Sequence, residues 1–380
     1  MEEHWAMIWH QAISRSFLNG KAFGWNKTVI FHVTSPVTGN SLRLRFSNRH
    51  GASPYEFGAV RICAGTQSAA VMLNGKEQFS VMPGGVTVSD ICPLGVKRGD
   101  EIEVLVFYTN AVLDSNMTEE DANLLRGNRT EGNTDECMHK PLLAKILGAY
   151  NAVPSIEAVE VLTDEPAKAI VAFGDNITAM SRWTKPLAKR LADTYREEYV
   201  LLNSGISGNC LLYEPGGIFG PVYGKKGITR FSQDVLEIPG LDTVILGLGV
   251  NDVSYLSDKT AGEINLPAYQ NAVTAMTDEL HARGNRVVIQ TITPRLGVSP
   301  VMGRFTPEME KLRLQFNEWI RTAGIFDYVF DAEAVVREER PDGFYYREEL
   351  QQGDHLHPNA AGGQRLADAF DLEMLTGKRG

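Results

Sequence analysis

Nowhere in the 380 residues does an unbroken apolar run reach the roughly 18 to 20 residues that a membrane-crossing helix needs. The opening Met1-Glu2-Glu3-His4-Trp5 has neither the basic cluster nor the apolar stretch of a secretory leader. These two absences lead us to expect a soluble, cytoplasmic protein with no membrane partner. Positive charge is also in short supply: 37 Lys and Arg face 47 Asp and Glu, for a net charge of -10. Proteins that follow a phosphate backbone gather cations on one face, so nucleic acid is not an expected partner. Cysteine is scarce, and Cys63, Cys92, Cys137 and Cys210 show none of the short Cys-x-x-Cys spacings of a zinc or redox motif. We read them as free thiols, with a disulfide between two of the first three as the alternative. Internal repeats and low-complexity segments are absent too.

The composition is that of a globular protein, 43% apolar and 22% charged. The length favours two domains, each able to bury a core. From Trp5 to about Leu162 the chain reads as short strands between turn residues. Lys27 to Val33 and Ser41 to Ser47 flank Ser35-Pro36-Val37-Thr38-Gly39-Asn40, and the second run alternates apolar and charged residues as a half-buried strand should. Further strands are expected at Ala59 to Cys63, Gly85 to Ile91, Glu101 to Tyr108 and Ile156 to Leu162; only parts of 117–127 and 140–148 carry a helical repeat. The expectation is an antiparallel, jelly-roll-like β-sandwich over residues 1–165, ending at the linker Thr163-Asp164-Glu165-Pro166. Leu113 to Lys140 is long and polar, a candidate lid. His139 lies in it and reads as a surface histidine outside the site.

Residues 166–380 have another texture. Short apolar runs at Ala169 to Phe173, Tyr199 to Asn203, Thr243 to Leu248, Arg286 to Thr291 and Tyr328 to Asp331 suit strands buried on both faces. Helical patterns lie between and after them, at Trp183 to Tyr195, Thr229 to Leu236, Pro267 to Ala282, Pro307 to Ala323 and Asn359 to Leu375. Strict alternation implies an α/β domain with a parallel sheet covered on both sides.

Four stretches of this second domain carry chemistry. Gly174-Asp175-Asn176-Ile177-Thr178 sits where the first strand ends and a helix begins, the edge at which open α/β folds present reactive groups. Asn203-Ser204-Gly205-Ile206-Ser207-Gly208-Asn209 and Gly247-Leu248-Gly249-Val250-Asn251-Asp252 follow the next two strands. Asp354-His355-Leu356-His357-Pro358 lies near the C-terminus. Asp354 and His357 are three residues apart, which in a helical turn puts both side chains on one side, so the carboxylate can orient the imidazole. Each stretch has a plainer reading: Asn251-Asp252 as a helix cap, the glycines at 205 and 208 as turn formers, and the Asp-His pair as a solvated turn.

Taken together and in this order, the four stretches resemble the GDSL or SGNH hydrolases, and the resemblance covers Ala169 to about Leu375. Trp183, Arg230-Phe231 and Asp234-Val235-Leu236 extend it toward two-domain bacterial members with an N-terminal β-domain. The resemblance implies a flavodoxin-like sheet and hydrolysis of a carboxylic ester. Short acyl groups on saccharides or other small hydroxylated compounds are the implied substrates, with no cofactor and no metal. It assigns His357 as general base and then acid, and Asp354 as its orienting partner. Gly208, Asn251 and the backbone N–H of Asn176 would form the oxyanion hole.

The family's nucleophilic serine is replaced here by Asn176. A carboxamide has no nucleophile that an imidazole can activate, which closes the acyl-enzyme route in this chain. Two explanations stand: a natural binding protein for acylated ligands, or an active esterase silenced by Ser→Asn, which we favour because the other site residues are retained. Ser181 and Ser207 read as structural rather than as substitute nucleophiles, and His355 falls outside the motif. A further alternative gives the main role to the β-domain as a carbohydrate binder, with Trp5, Trp9 and Trp25 stacking on sugars; tryptophans of a sandwich more often fill its core.

Overall fold

The computed structural model describes residues 3–15, 27–110, 116–117, 125–128, 155–217, 220–299 and 304–378. Two compact units emerge, one of residues 1–168 with 195–202, the other of 169–194 with 203–380. Among the described residues, no helix is long and apolar enough to cross a membrane.

Among its described residues the first unit holds two larger antiparallel sheets and a two-stranded antiparallel pair, Ser14–Arg15 with Asn116–Met117. Four strands, His4–His10, Ile156–Thr163, Ser41–Ser47 and Val86–Val88, form one of the larger sheets. The other runs Leu125–Asn128, Lys27–Thr34, Glu101–Tyr108, Tyr55–Ala64 and Gln67–Ala70, with Phe79–Val81 also paired to Tyr55–Ala64. Alternation in Ser41–Ser47 does what the sequence implies. Leu42, Leu44 and Phe46 are fully buried, while Arg43 and Arg45 on the opposite face donate to the buried carboxylate of Glu160 on the neighbouring strand. The strand His4–His10 went unread because its residues Trp5-Ala6-Met7-Ile8-Trp9 do not alternate. Trp9 packs on Phe31 with ring centroids 5.2 Å apart, and the Arg43 guanidinium lies 4.0 Å over the Trp5 ring, so both tryptophans already have packing partners. Trp25, Cys137, His139 and most of the candidate lid lie outside the described residues. Of Leu113 to Lys140, only 116–117 and 125–128 are described, and both are strand rather than helix or coil. Cys92 and Cys210 are free thiols.

We label the strands of the parallel sheet β1 (Lys168–Gly174), β2 (Tyr199–Gly205), β3 (Leu241–Gly247), β4 (Arg286–Gln290) and β5 (Tyr328–Phe330). Their order is β2-β1-β3-β4-β5, and the pairs β1–β3, β3–β4 and β4–β5 are parallel. This is the doubly wound order of flavodoxin-like sheets, whose direction of winding reverses between β1 and β3. The crevice outside the carboxyl ends of those two strands is where such sheets bind ligands. From β1 the chain enters a one-turn helix α1 (Asn176–Ala179) and then α2 (Thr184–Tyr195); β3 leads into α3 (Val250–Ser254). The longer helices α4 (Leu266–Ala282) and α5 (Pro307–Thr322) start at side-chain caps, Asn265 and Thr306.

Two expected helices differ in detail. The pattern at Thr229 to Leu236 begins earlier, at Gly227, and widens into a π-turn over Ser232–Leu236. The pattern at Asn359 to Leu375 is not one helix but two, α6 (Ala360–Ala369) and α7 (Leu372–Thr376). Phe370 breaks it: its backbone is extended, and its buried ring stacks on both Trp183 and Phe330, with centroids 3.7 Å apart in the latter pair. Asp371 then caps the new helix by accepting from Glu373 and Met374 N–H groups.

Candidate active site

Asn176 is the first residue of α1, directly after the carboxyl end of β1. Asp175 caps the helix, its Oδ1 accepting the Ile177 N–H at 3.0 Å. Arg230 ties this strand end to its neighbours. Its guanidinium is buried against the Phe173 ring and donates to the carbonyls of Gly174 and Ser204, to Asn209 Oδ1 and to Asp234, all within 3.0 Å. One side chain thus joins β1, β2, the loop after β2 and the π-turn.

Gly208 lies in that loop at φ +70, a left-handed conformation, and a Cβ there would fall 2.2 Å from the Tyr223 ring. Glycine is required on both counts. The next residue, Asn209, has its side-chain amide donating to the carbonyls of Tyr223 and Lys225, while its own carbonyl accepts from Asn251 Nδ2 at 3.0 Å. Asn251 stands on α3 beyond β3. Its neighbour Asp252 grips the same loop, accepting the N–H groups of Leu211 and Leu212 at 2.7 Å each. The plain capping role weighed for Asn251-Asp252 is therefore not the geometry found: both side chains reach across to the β2 loop.

Asp354 and His357 do come together, but not on a helical turn. The segment is a bend in which Asp354 Oδ1 accepts the N–H groups of Leu356 and His357, and His355 takes φ +58. The short carboxylate organises the backbone itself. Its other oxygen, Oδ2, takes the His357 Nδ1–H at 2.6 Å and a further hydrogen bond from Gln352. Arg182 donates to the Pro358 carbonyl at 2.6 Å and so fastens the bend to the segment after α1. His355 is directed elsewhere, its ring 3.7 Å from Glu348.

All this converges on the Asn176 side chain. Its Nδ2–H donates to His357 Nε2 at 2.6 Å, and its Oδ1 accepts from Asn251 Nδ2 at 2.8 Å. The amide orientation follows from the partners, since reversal would set two N–H donors against each other at Asn251. Asn176, His357 and Asn251 are 5%, 6% and 8% exposed, so these contacts are made away from bulk water. Ser181 lies off to the side at φ +56, its Oγ accepting from Asn203, which places it in the frame rather than in the site.

The electrostatics suit a neutral imidazole. Burial pushes the His357 pKa down; the Asp354 carboxylate opposes this, and the charges of Arg295 and Arg182 reinforce it. Burial works against ionisation of Asp354, yet the hydrogen bonds from Gln352 and His357 outweigh it and hold the carboxyl well below the usual carboxylate range. Behind the site, burial pushes Asp175 up to about 7 and Asp252 up to about 6, in each case against backbone N–H donors. Arg295 is the residue that the sequence reading missed. It is 3% exposed, beside Phe305 in the loop at the carboxyl end of β4, and its charge acts on Asp175, Asp354 and His357. Its position past a parallel strand was the available signal.

The GDSL-like Lipase/Acylhydrolase family matches residues 172–365, which include all the residues just described. The chain belongs to that family. No curated protein matches the sequence. Among solved structures it is similar to an acetyl xylan esterase from Geobacillus stearothermophilus, at 19% identity over 55% of this chain and 94% of that one, with a TM-score of 0.41. It is also similar to a putative lipolytic protein of the G-D-S-L family from Desulfitobacterium hafniense, at 19% identity over 53% and 97%, TM-score 0.38. A GDSL-like lipase from Bacteroides thetaiotaomicron shares 17% identity over 55% and 87%, TM-score 0.38.

Proposed function

We propose that the α/β unit is a carboxylic ester hydrolase site of the serine type whose nucleophile position is filled by Asn176. The observation that carries this reading is the seat of that side chain: it touches both the imidazole of an Asp354–His357 pair and the side-chain amide of Asn251. A serine at position 176 would start from the same backbone, within reach of His357 as base, while Asn251 and the N–H groups of residues 176 and 208 received the oxyanion. The proposed substrates are esters of short acyl groups with saccharides or other small hydroxylated compounds.

With asparagine in place, the first step has no nucleophile. The carboxamide also occupies the donor that an acyl carbonyl would need, because Asn251 Nδ2 is already given to Asn176 Oδ1. This weighs against the second reading, a natural binder of acylated ligands, since such a ligand would have to displace the protein's own amide. The test is Asn176→Ser, assayed on p-nitrophenyl acetate and a panel of acetylated sugars. Turnover that appears with the serine and is lost again on His357→Gln supports the proposal; a folded Asn176→Ser protein inert on the whole panel overturns it.

A further inference from the structure

An amide is poised for hydrolysis when its carbonyl oxygen faces an oxyanion donor and its nitrogen lies beside a group that can deliver a proton. Asn176 is held in that way by its own protein. Its Oδ1 is 2.8 Å from Asn251 Nδ2, and its Nδ2 is 2.6 Å from His357 Nε2, whose other nitrogen is 2.6 Å from Asp354. We infer that Asn176 is a modification site, its side-chain amide being hydrolysed in place to a carboxylate by His357, Asp354 and Asn251.

The ordinary route for loss of an asparagine amide is attack by the following backbone nitrogen on Cγ, through a cyclic imide. Here that nitrogen is engaged: the Ile177 N–H donates to Asp175 Oδ1 at 3.0 Å, the capping bond of the helix that Asn176 opens. What remains is attack by water. Its oxygen bonds to Cγ, one of its protons passes to His357 Nε2, and the carbonyl electron pair moves onto Oδ1, held by Asn251 Nδ2–H. Once Cγ is tetrahedral, the nitrogen is an amine with a free lone pair. It takes the proton from His357, the Cγ–Nδ2 bond breaks, and ammonia departs. The acid left behind ionises, so amide and water have become carboxylate and ammonium with no redox change. The new carboxylate accepts from Asn251 Nδ2–H, and from His357 Nε2 once the imidazole takes up a proton.

The inference rests on the hydrolytic reading of the same groups, but its test does not need an ester substrate. The purified chain is incubated in heavy-oxygen water near neutral pH and digested with trypsin, and the peptide of residues 169–182, in which Asn176 is the sole asparagine, is followed by mass spectrometry. Asn176→Asp supplies the reference for the product. Expected is conversion of the amide to an unrearranged aspartate with one heavy oxygen, slowed on the order of a hundredfold by His357→Gln and by Asp354→Asn. Circular dichroism establishes that each variant is folded, and either one suffices if the other is not. A peptide that stays amidated overturns the inference, as does a mixture with isoaspartate or a rate indifferent to both variants. If Asn176→Ser cleaves esters while the asparagine protein keeps its amide, this inference fails alone. If the amide is lost in a His357-dependent way while Asn176→Ser is inert on esters, the ester reading fails and this one stands.

Discussion

In the proposed reaction, a serine at position 176 would supply the nucleophile that asparagine, larger by two side-chain heavy atoms, lacks. Removing the nucleophile from a working triad costs on the order of a million-fold in turnover. Restoring it in Asn176→Ser should therefore raise ester hydrolysis by a comparable factor, provided that the frame is intact. The pH profile of that variant gives a sharper check. Its base must be neutral to act, and burial lowers the His357 pKa. The acid limb of kcat/KM should then fall below the ordinary imidazole value of about 6.5, and a limb above it would mean that another group is titrating. Arg230 offers a test of the frame. Its side chain and that of Asp234 are 4% and 3% exposed and paired at 2.8 Å. Arg230→Met should destabilise this unit by about 3 to 5 kcal/mol in denaturant unfolding, because it strands a buried carboxylate. A loss under about 1 kcal/mol, the scale of an exposed pair, would show that Asp234 finds water.

At the scale of elements, some strands were legible and others were not: His4–His10, Gln67–Ala70 and Phe79–Val81 carry no clear alternation between turn residues, and Tyr55–Ala64 is legible only from Ala59. Ser41–Ser47 and Glu101–Tyr108 are found as read, because alternation or a β-branched run bounded by turn residues leaves little choice. Elements of one turn were not legible: α1 and α3 are too short to show a period, and they exist because a parallel strand ends in a capped or glycine-preceded turn. The bend at Asp354 to His357 was mistaken for a helical turn since the spacing of three fits both; only the positive φ of His355 and the two backbone N–H groups taken by Asp354 tell them apart. One contact between elements should be decisive for the site. A Cβ at Gly205, the last residue of β2, would lie 2.4 Å from the Ala179 backbone nitrogen. Backbone cannot yield as a side chain does, so Gly205→Ala should push α1 away from β2, at a cost of about 1 to 3 kcal/mol. Because α1 carries position 176, Gly205→Ala combined with Asn176→Ser should lose kcat with KM little changed. Unchanged turnover in that double variant would show that α1 is not held by this contact.

For the whole molecule, the change of texture near residue 166 revealed two kinds of architecture, since antiparallel sandwiches and doubly wound sheets demand different periodicities. What the sequence did not reveal is the electrostatic interior of the α/β unit, where carboxylates far apart in the chain share one low-dielectric region. Asp175 and Asp252 are 2% and 0% exposed, and burial raises them to about 7 and about 6. A carboxyl with a raised folded-state pKa binds its proton more tightly in the native than in the unfolded chain. Between the ordinary value near 4 and the raised one, the native state therefore holds more protons, and its stability falls as pH rises. Asp175→Asn keeps an acceptor for the Ile177 N–H and removes the titration. Measured by denaturant unfolding, the variant should gain stability relative to the parent steadily from about pH 4 to about pH 7 and show no further relative gain above that. A difference that is flat across this window would mean that Asp175 ionises as freely in the fold as in water, and that the charge of Arg295 or Arg230 fully offsets its burial.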